Sequence, residues 1–120
     1  MESIVKAVIS VARKGSIFRS VEKQLAASRK GASPDFHLSF ETARSLFSEL
    51  TPARLDLLDT LRRVGPCSVY ALAKASERNY SNVHTDVARL EELGLIERTE
   101  DDQVVVPFEA IEILVPLAES

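Results

Sequence analysis

Cysteine is almost absent from these 120 residues, and the single thiol, Cys67, excludes an internal disulfide and any multi-cysteine zinc site. That usage suits a reducing compartment, with Cys67 reading as a small packed residue beside a helix start. Glycine is scarce too: the four glycines stand apart at turns, and none builds a loop that could cradle a phosphate. Long hydrophobic runs are missing. The longest near the N-terminus, Ile4 to Ala12, is broken by Lys6 and Ser10 and is far too short to span a bilayer. With Glu2 before it and Arg13-Lys14 after it, it does not read as a signal peptide, so a cytoplasmic chain without a membrane partner is expected. The two histidines, His37 and His84, are too few and too far apart for a metal cluster, and no metal or cofactor is expected. No nucleophile stands near a base in sequence and no carboxylate pair marks a cleft, so no enzyme is expected.

What is present reads as a folded chain, with 45% hydrophobic and 28% charged residues. The length fits one core with a short extension folded against it. The net charge of −3 conceals an asymmetry. Residues 1–33 hold seven Lys/Arg against two Asp/Glu, whereas residues 51–120 hold seven basic against thirteen acidic residues.

The chain divides by its punctuation. From Ile4 to Val11, alternation of Val5, Ala7, Ile9 and Val11 with β-branched content favours a strand, although Ile4, Val5, Val8 and Ile9 also fit a helical stripe. Ser16 can cap a basic amphipathic helix, Ile17 to Lys30, with Phe18, Val21 and Leu25 on one side. Ser33-Pro34-Asp35 turns into a short strand, Phe36 to Phe40, and a short helix follows with Leu46, Phe47 and Leu50 inward. Thr51-Pro52 is the clearest boundary, an N-cap followed by proline at the first helical position. An extension of β-α-β-α order is therefore expected over residues 1–50, for dimerisation or partner binding, and a second module over 51–120.

That module reads as three helices and a hairpin. Leu57, Leu58, Leu61 and Val64 define the first helix, Ala53 to Val64, which Gly65-Pro66 stops. Ser68 caps a short second helix through Ala75 with Leu72 and Ala73 inward. The turn Ser76 to Asn79 leads to a third, with Val83, Val87 and Leu90 inward and Gly94 as its stop. Leu95 to Arg98 and Val104 to Val106 flank the turn Thr99 to Gln103 as a hairpin, and a further strand, Ile111 to Leu117, follows Pro107. Three helices followed by a hairpin form the arrangement that offers one helix to a major groove, so the expected fold is α+β and specifically a winged helix-turn-helix with extra strands.

The runs Tyr70-Ala71-Leu72-Ala73, Ser81-Asn82-Val83-His84 and Leu90-Glu91-Glu92-Leu93-Gly94-Leu95-Ile96-Glu97-Arg98 carry a resemblance. They resemble MarR-like and ArsR-like winged-helix regulators over residues 51–106. With the segment Val106-Pro107 to Leu117 added, the chain is similar to a group of predicted prokaryotic transcriptional regulators often encoded as the antitoxin of a type II toxin-antitoxin pair. The resemblance implies binding to duplex DNA, repression of the chain's own operon and capture of a cognate toxin protein. The outer strands and the basic helix exceed what one small winged helix needs, and such readers usually bind two-fold sites, so a homodimer is expected.

Helical geometry selects the reading residues separately. At ~100° per residue, Val87 and Leu90 fall within about 40° of Val83, and Ser81, Thr85 and Arg89 point roughly opposite, with Asn82 and His84 on the flanks. Arg can contact guanine, Asn adenine, and Ser or Thr a phosphate or base edge. Lys74 and Arg78 near the turn are placed for phosphates, and Arg98 is the only base on the hairpin. With the cap Ser68 and with Asn79 at the end of the turn, these ten residues form the expected DNA interface. The same pattern is also that of an ordinary solvated helix face. The hairpin tip, Glu100-Asp101-Asp102, departs from the basic wings that enter a minor groove. It fits three readings: a wing that avoids DNA, a surface for a partner, or a plain polar turn. A winged helix that docks proteins without binding DNA is the competing expectation.

Overall fold

In a computed structural model, residues 5–12 and 35–117 are described. The predicted helix Ile17 to Lys30 lies outside them. The described elements make an α+β fold that divides into two compact units.

One unit comprises the described residues up to Glu49 together with those from Phe108 onward. Strand β1 (Lys6–Val11) is central, flanked by β2 (Phe36–Phe40) and β5 (Ala110–Leu114), and both pairings are parallel. The register sets Ile9 opposite Leu38 on one side and Ile113 on the other. The period-2 reading of residues 4–11 thus prevails over the helical one, because a central strand satisfies its backbone groups on both edges. Ala7, Ile9 and Val11 are all buried, and Ser10, on the opposite face, sets its hydroxyl 3.5 Å from that of Ser39. Helix α1 (Ala43–Glu49) starts where Thr42 Oγ1 accepts from the Ser45 amide, and it packs against β1 and β2. Its inward residue is Leu46. Phe47, expected inward, is half exposed, since it lies ~100° around so short a helix from Leu46.

Residues 108–117, assigned from sequence to the second module, belong by their pairing to this sheet. Strand β5 hydrogen-bonds along β1, Glu109 donates to the Val5 carbonyl, and the Phe108 ring lies 5.4 Å from Phe36. The strand ends at Leu114, short of the predicted Leu117, which is left exposed.

The other unit spans Leu50–Pro107. Helix α2 (Pro52–Val64) begins at the Thr51 cap, whose side chain accepts from the Arg54 amide. It ends at Gly65, where φ is 84° and the amide donates to the Leu61 carbonyl. Helix α3 (Val69–Ser76) follows the Ser68 cap, and α4 (Tyr80–Glu92) follows the Asn79 cap. After α4, Gly94 takes φ 86°, the Leu95 amide reaches back to the Leu90 carbonyl and the Gly94 amide to that of Glu91. That closing pattern needs a left-handed residue, which glycine adopts at little cost.

Leu57, Leu61, Leu72, Val83, Val87 and Leu90 are fully buried and join the three helices into one core. Val64, expected inward, is exposed because the helix ends there and the chain turns away at Gly65. Strands β3 (Glu97–Arg98) and β4 (Val104–Val105) form an antiparallel hairpin shorter than predicted. Leu95 and Ile96 do not join β3; they are buried in the core instead. The connection between α2 and α3 adds a third line of pairing, since Cys67 and Val104 exchange backbone hydrogen bonds of 3.3 and 2.8 Å. Among the described residues, no helix is long and apolar enough to cross a membrane.

Candidate functional site

The surface of the helical unit is organised by how α4 is held. Its inward stripe is Val83, Val87 and Leu90. On one flank, Asp86 accepts from Arg54 Nε of α2 at 3.0 Å and from Arg78 Nη2, in the turn before α4, at 2.7 Å. Burial pushes the Asp86 carboxyl up, but the hydrogen bonds and charges of Arg78 and Arg54 outweigh it and hold the group below the ordinary carboxylate range. Three elements are tied at this one carboxylate.

That tie engages Arg78. Expected at a phosphate, its guanidinium is committed to Asp86, and its Nη1 is buried with no hydrogen-bond partner among the described residues. Arg78 is thus a positioning residue that fixes the turn from which α4 departs. The turn is tight, with Glu77 in the left-handed region at φ 56° and the Arg78 amide reaching back to the Ala73 carbonyl.

Other predicted residues stand as follows. Ser68 and Asn79 are exposed, but their side chains serve as caps, accepting from the Ala71 and Asn82 amides. Ser81, Asn82, His84 and Thr85 are exposed on the first half of α4, with Thr85 Oγ1 donating to the Ser81 carbonyl. Lys74 is exposed on α3. Arg89 is half-buried and pairs with Glu92 at 3.3 Å. Arg98 is enclosed by acids: Glu91 accepts from it twice, at 2.9 and 3.2 Å, and Asp102 once at 3.1 Å. The Glu91 hydrogen bond is the main cause that raises its pKa above the usual guanidinium value.

The predicted set therefore splits. Ser68, Lys74, Asn79, Ser81, Asn82, His84 and Thr85 share the exposed surface of α3 and the start of α4, while Arg78, Arg89 and Arg98 are engaged in ion pairs. Sequence reasoning passed over Tyr70 and Tyr80, which are large, exposed and adjacent on this same surface. For Tyr70 a signal was available, since its ring falls off the Leu72 stripe of its helix; Tyr80 is in phase with Val83 and Val87 and is exposed because α4 begins there. Cys67 sits at the bridge to the hairpin, and burial pushes its thiol up, which keeps it protonated and unreactive near neutral pH. No cluster of three or more His, Cys, Asp or Glu able to hold a metal occurs among the described residues.

A family model described as HVO_A0114 matches residues 49–113, more than half of the chain. The chain belongs to the HVO_A0114 family. The match takes in the whole helical unit and most of β5. No curated protein and no solved structure matches the chain.

Proposed function

We propose that the chain is a sequence-specific, duplex-DNA-binding transcriptional regulator whose helical unit is a winged helix-turn-helix, with α4 as the helix that enters the major groove. The observation that carries this reading is the outward face at the start of α4. Ser81, Asn82 and Thr85 stand exposed there on a helix whose opposite side is anchored in the core, behind a turn braced by Asp86 and Arg78. Rigid presentation of short polar side chains is what direct readout of base edges requires. The three helices, the hairpin and the Cys67–Val104 bridge that ties the hairpin to the first helical connection support the winged arrangement.

The finer role follows the resemblance of the Leu90 to Arg98 run to MarR-like and ArsR-like regulators and to antitoxins. On that basis the chain acts in the cytoplasm as a homodimer, represses its own operon and neutralises a toxin encoded beside it. Mobility shifts with the duplex upstream of its own gene, against an unrelated duplex of equal length, test the core of the reading. Preferential retardation of the upstream duplex is expected. Failure to retard any duplex at low salt refutes it, because the sequence-independent term is strongest there. Co-purification with the neighbouring gene's product tests the antitoxin role.

One observation favours a second reading, a protein-docking unit that leaves DNA alone. The hairpin tip is acidic, and its one arginine, Arg98, is already held by Glu91 and Asp102. A hairpin so occupied does not grip a minor groove. Retained capture of the neighbouring product with no retardation of any duplex selects this reading.

A further inference from the structure

Tyr70 and Tyr80 are the only tyrosines of the chain, and they stand together on its surface. Tyr70 is 61% exposed and Tyr80 49%. Their ring centroids lie 6.3 Å apart, the His84 imidazole lies 5.8 Å from Tyr80, and Lys74 Nζ sits 5.5 Å from the Tyr70 centroid. The result is a continuous row of flat rings with a cation at one end, crossing from α3 to α4. Exposed rings gathered in one place mark a surface that another molecule covers.

Charge selects the kind of molecule. Between Pro66 and Thr85 the sequence has one carboxylate, Glu77, whereas Asp86 to Asp102 holds seven. Neither α3 nor α4 has an acid in its first turn, so the positive ends of both helix dipoles go uncompensated beside the row. That placement of charge suits an anionic occupant. Its chemistry is also alternately apolar and charged, since ring faces need carbon surface and Lys74 and the phenolic hydroxyls need oxygen acceptors. Deoxyribose beside phosphate meets both requirements, and tyrosine and lysine are among the side chains that contact that backbone.

We propose that Tyr70, Tyr80, His84 and Lys74 form a strip that grips the sugar-phosphate backbone of duplex DNA at one lip of the groove receiving α4. This rests on the DNA-binding reading above. Tyr80 lies ~100° around α4 from Ser81 and His84 ~100° from Thr85, and Tyr80 stands beside Tyr70, so the strip runs along the side of the reading face turned toward α3. Ring faces cover deoxyribose, Lys74 pairs with a phosphate, and the tyrosine hydroxyls donate to phosphate oxygens. The strip acts on all sequences alike.

Full-length chain labelled with fluorotyrosine gives two fluorine resonances, both from the strip. On titration with a mixed-sequence duplex at low salt, both should shift in step with binding measured by the anisotropy of labelled DNA. Tyr80→Ala should weaken binding about tenfold, the equivalent of one hydrogen bond to a charged group. Tyr80→Phe, which keeps the ring and the fold, should lose less, and Lys74→Ala should lower the salt dependence by about one counterion. If the duplex binds while both resonances stay still, the strip is not in the interface and the proposal is overturned, although DNA binding stands. If no duplex binds, the DNA reading fails and the strip with it. Shifts that follow protein concentration without DNA assign the row to a second copy and equally overturn the proposal.

Discussion

Replacing Asp86 by asparagine should destabilise the helical unit by more than a surface ion pair would. Asp86→Asn keeps the side-chain shape, removes the charge and presents an NH2 to one of two guanidinium donors. The carboxylate now accepts at 3.0 Å from Arg54 and 2.7 Å from Arg78, with side chains of the three residues 14% to 28% exposed. Hydrogen bonds to charged groups contribute roughly 1.5 to 3 kcal/mol each, and breaking a fully buried pair costs about 3 to 5. Because water reaches part of this cluster, a loss of about 2 to 3 kcal/mol is expected. For a unit of this size that lowers the melting temperature by about 10 to 20 °C.

The pH dependence supplies a second, independent signature of the same substitution. The folded carboxyl titrates below its ordinary value of about 3.9. Its contribution is therefore whole above about pH 4 and is lost as the pH falls through the lowered folded value. Asparagine takes up no proton, so the difference between wild type and variant should close in acid. Thermal unfolding followed by circular dichroism across this range measures both. A neutral-pH loss below about 0.5 kcal/mol, or a difference that persists unchanged to about pH 2, would refute the assignment of Asp86 as the tie between α2, the turn and α4.

Other outcomes follow from the same geometry. Glu77→Gly should be neutral or stabilise by up to about 1 kcal/mol, since glycine relieves the left-handed strain at φ 56° but loses more entropy on folding, and a clear loss by denaturant titration would contradict the strain argument. Leu72→Ala should cost about 2 to 5 kcal/mol in urea unfolding because its side chain is fully buried, and a cost below 1 would place the core elsewhere. Ser81→Ala and Thr85→Ala should leave melting temperatures unchanged while weakening specific DNA binding by about 1 to 3 kcal/mol where a base contact is lost; unchanged affinity in both would move the reading surface. Light scattering should find a homodimer, and a strictly monomeric particle with DNA bound would contradict it.

How legible these features were in the sequence depended on how local their causes are. The three helices of the second unit were readable within a residue or so, because Thr51 and Ser68 are caps, the turn Ser76 to Asn79 separates the last two, and Gly65 and Gly94 are stops whose effects act within one turn. Strand β1 was ambiguous because its apolar residues fit two periods, and only pairing with β2 and β5 decides between them. The pairing of β5 with β1 was legible, since a lone apolar strand must find a partner and Ile111 to Leu117 is the obvious one, whereas the parallel sense of that pairing rests on contacts about a hundred residues apart that no local pattern encodes. At the candidate interface, helical phase correctly predicted that Ser81 and Thr85 would be exposed. It could not reveal that Arg78 and Arg98 are engaged, since their acids lie eight residues away in one case and four and seven in the other.

Those pairings also change the meaning of the acidic balance in residues 51–120. Counted along the chain, the excess of acid opposes a polyanionic partner. Pairing takes five acids and five bases together, Asp86 with Arg54 and Arg78, Glu91 and Asp102 with Arg98, Asp59 with Arg63 and Glu92 with Arg89, and so leaves the excess of six unchanged; what matters is where that excess lies. Several of these acids lie on the second half of α4 and the hairpin. The stretch that carries α3 and the start of α4 keeps a single carboxylate, and screening over about 8 to 10 Å confines each charge to its own neighbourhood. Net charge is thus a poor guide to what this surface can hold, because an approaching phosphate feels the few groups within a Debye length and not the total. The pairs that cost the chain free basic groups at Arg78 and Arg98 brace the turn before α4 and the junction after it, so the charges least available to a ligand are those that set the helix in place.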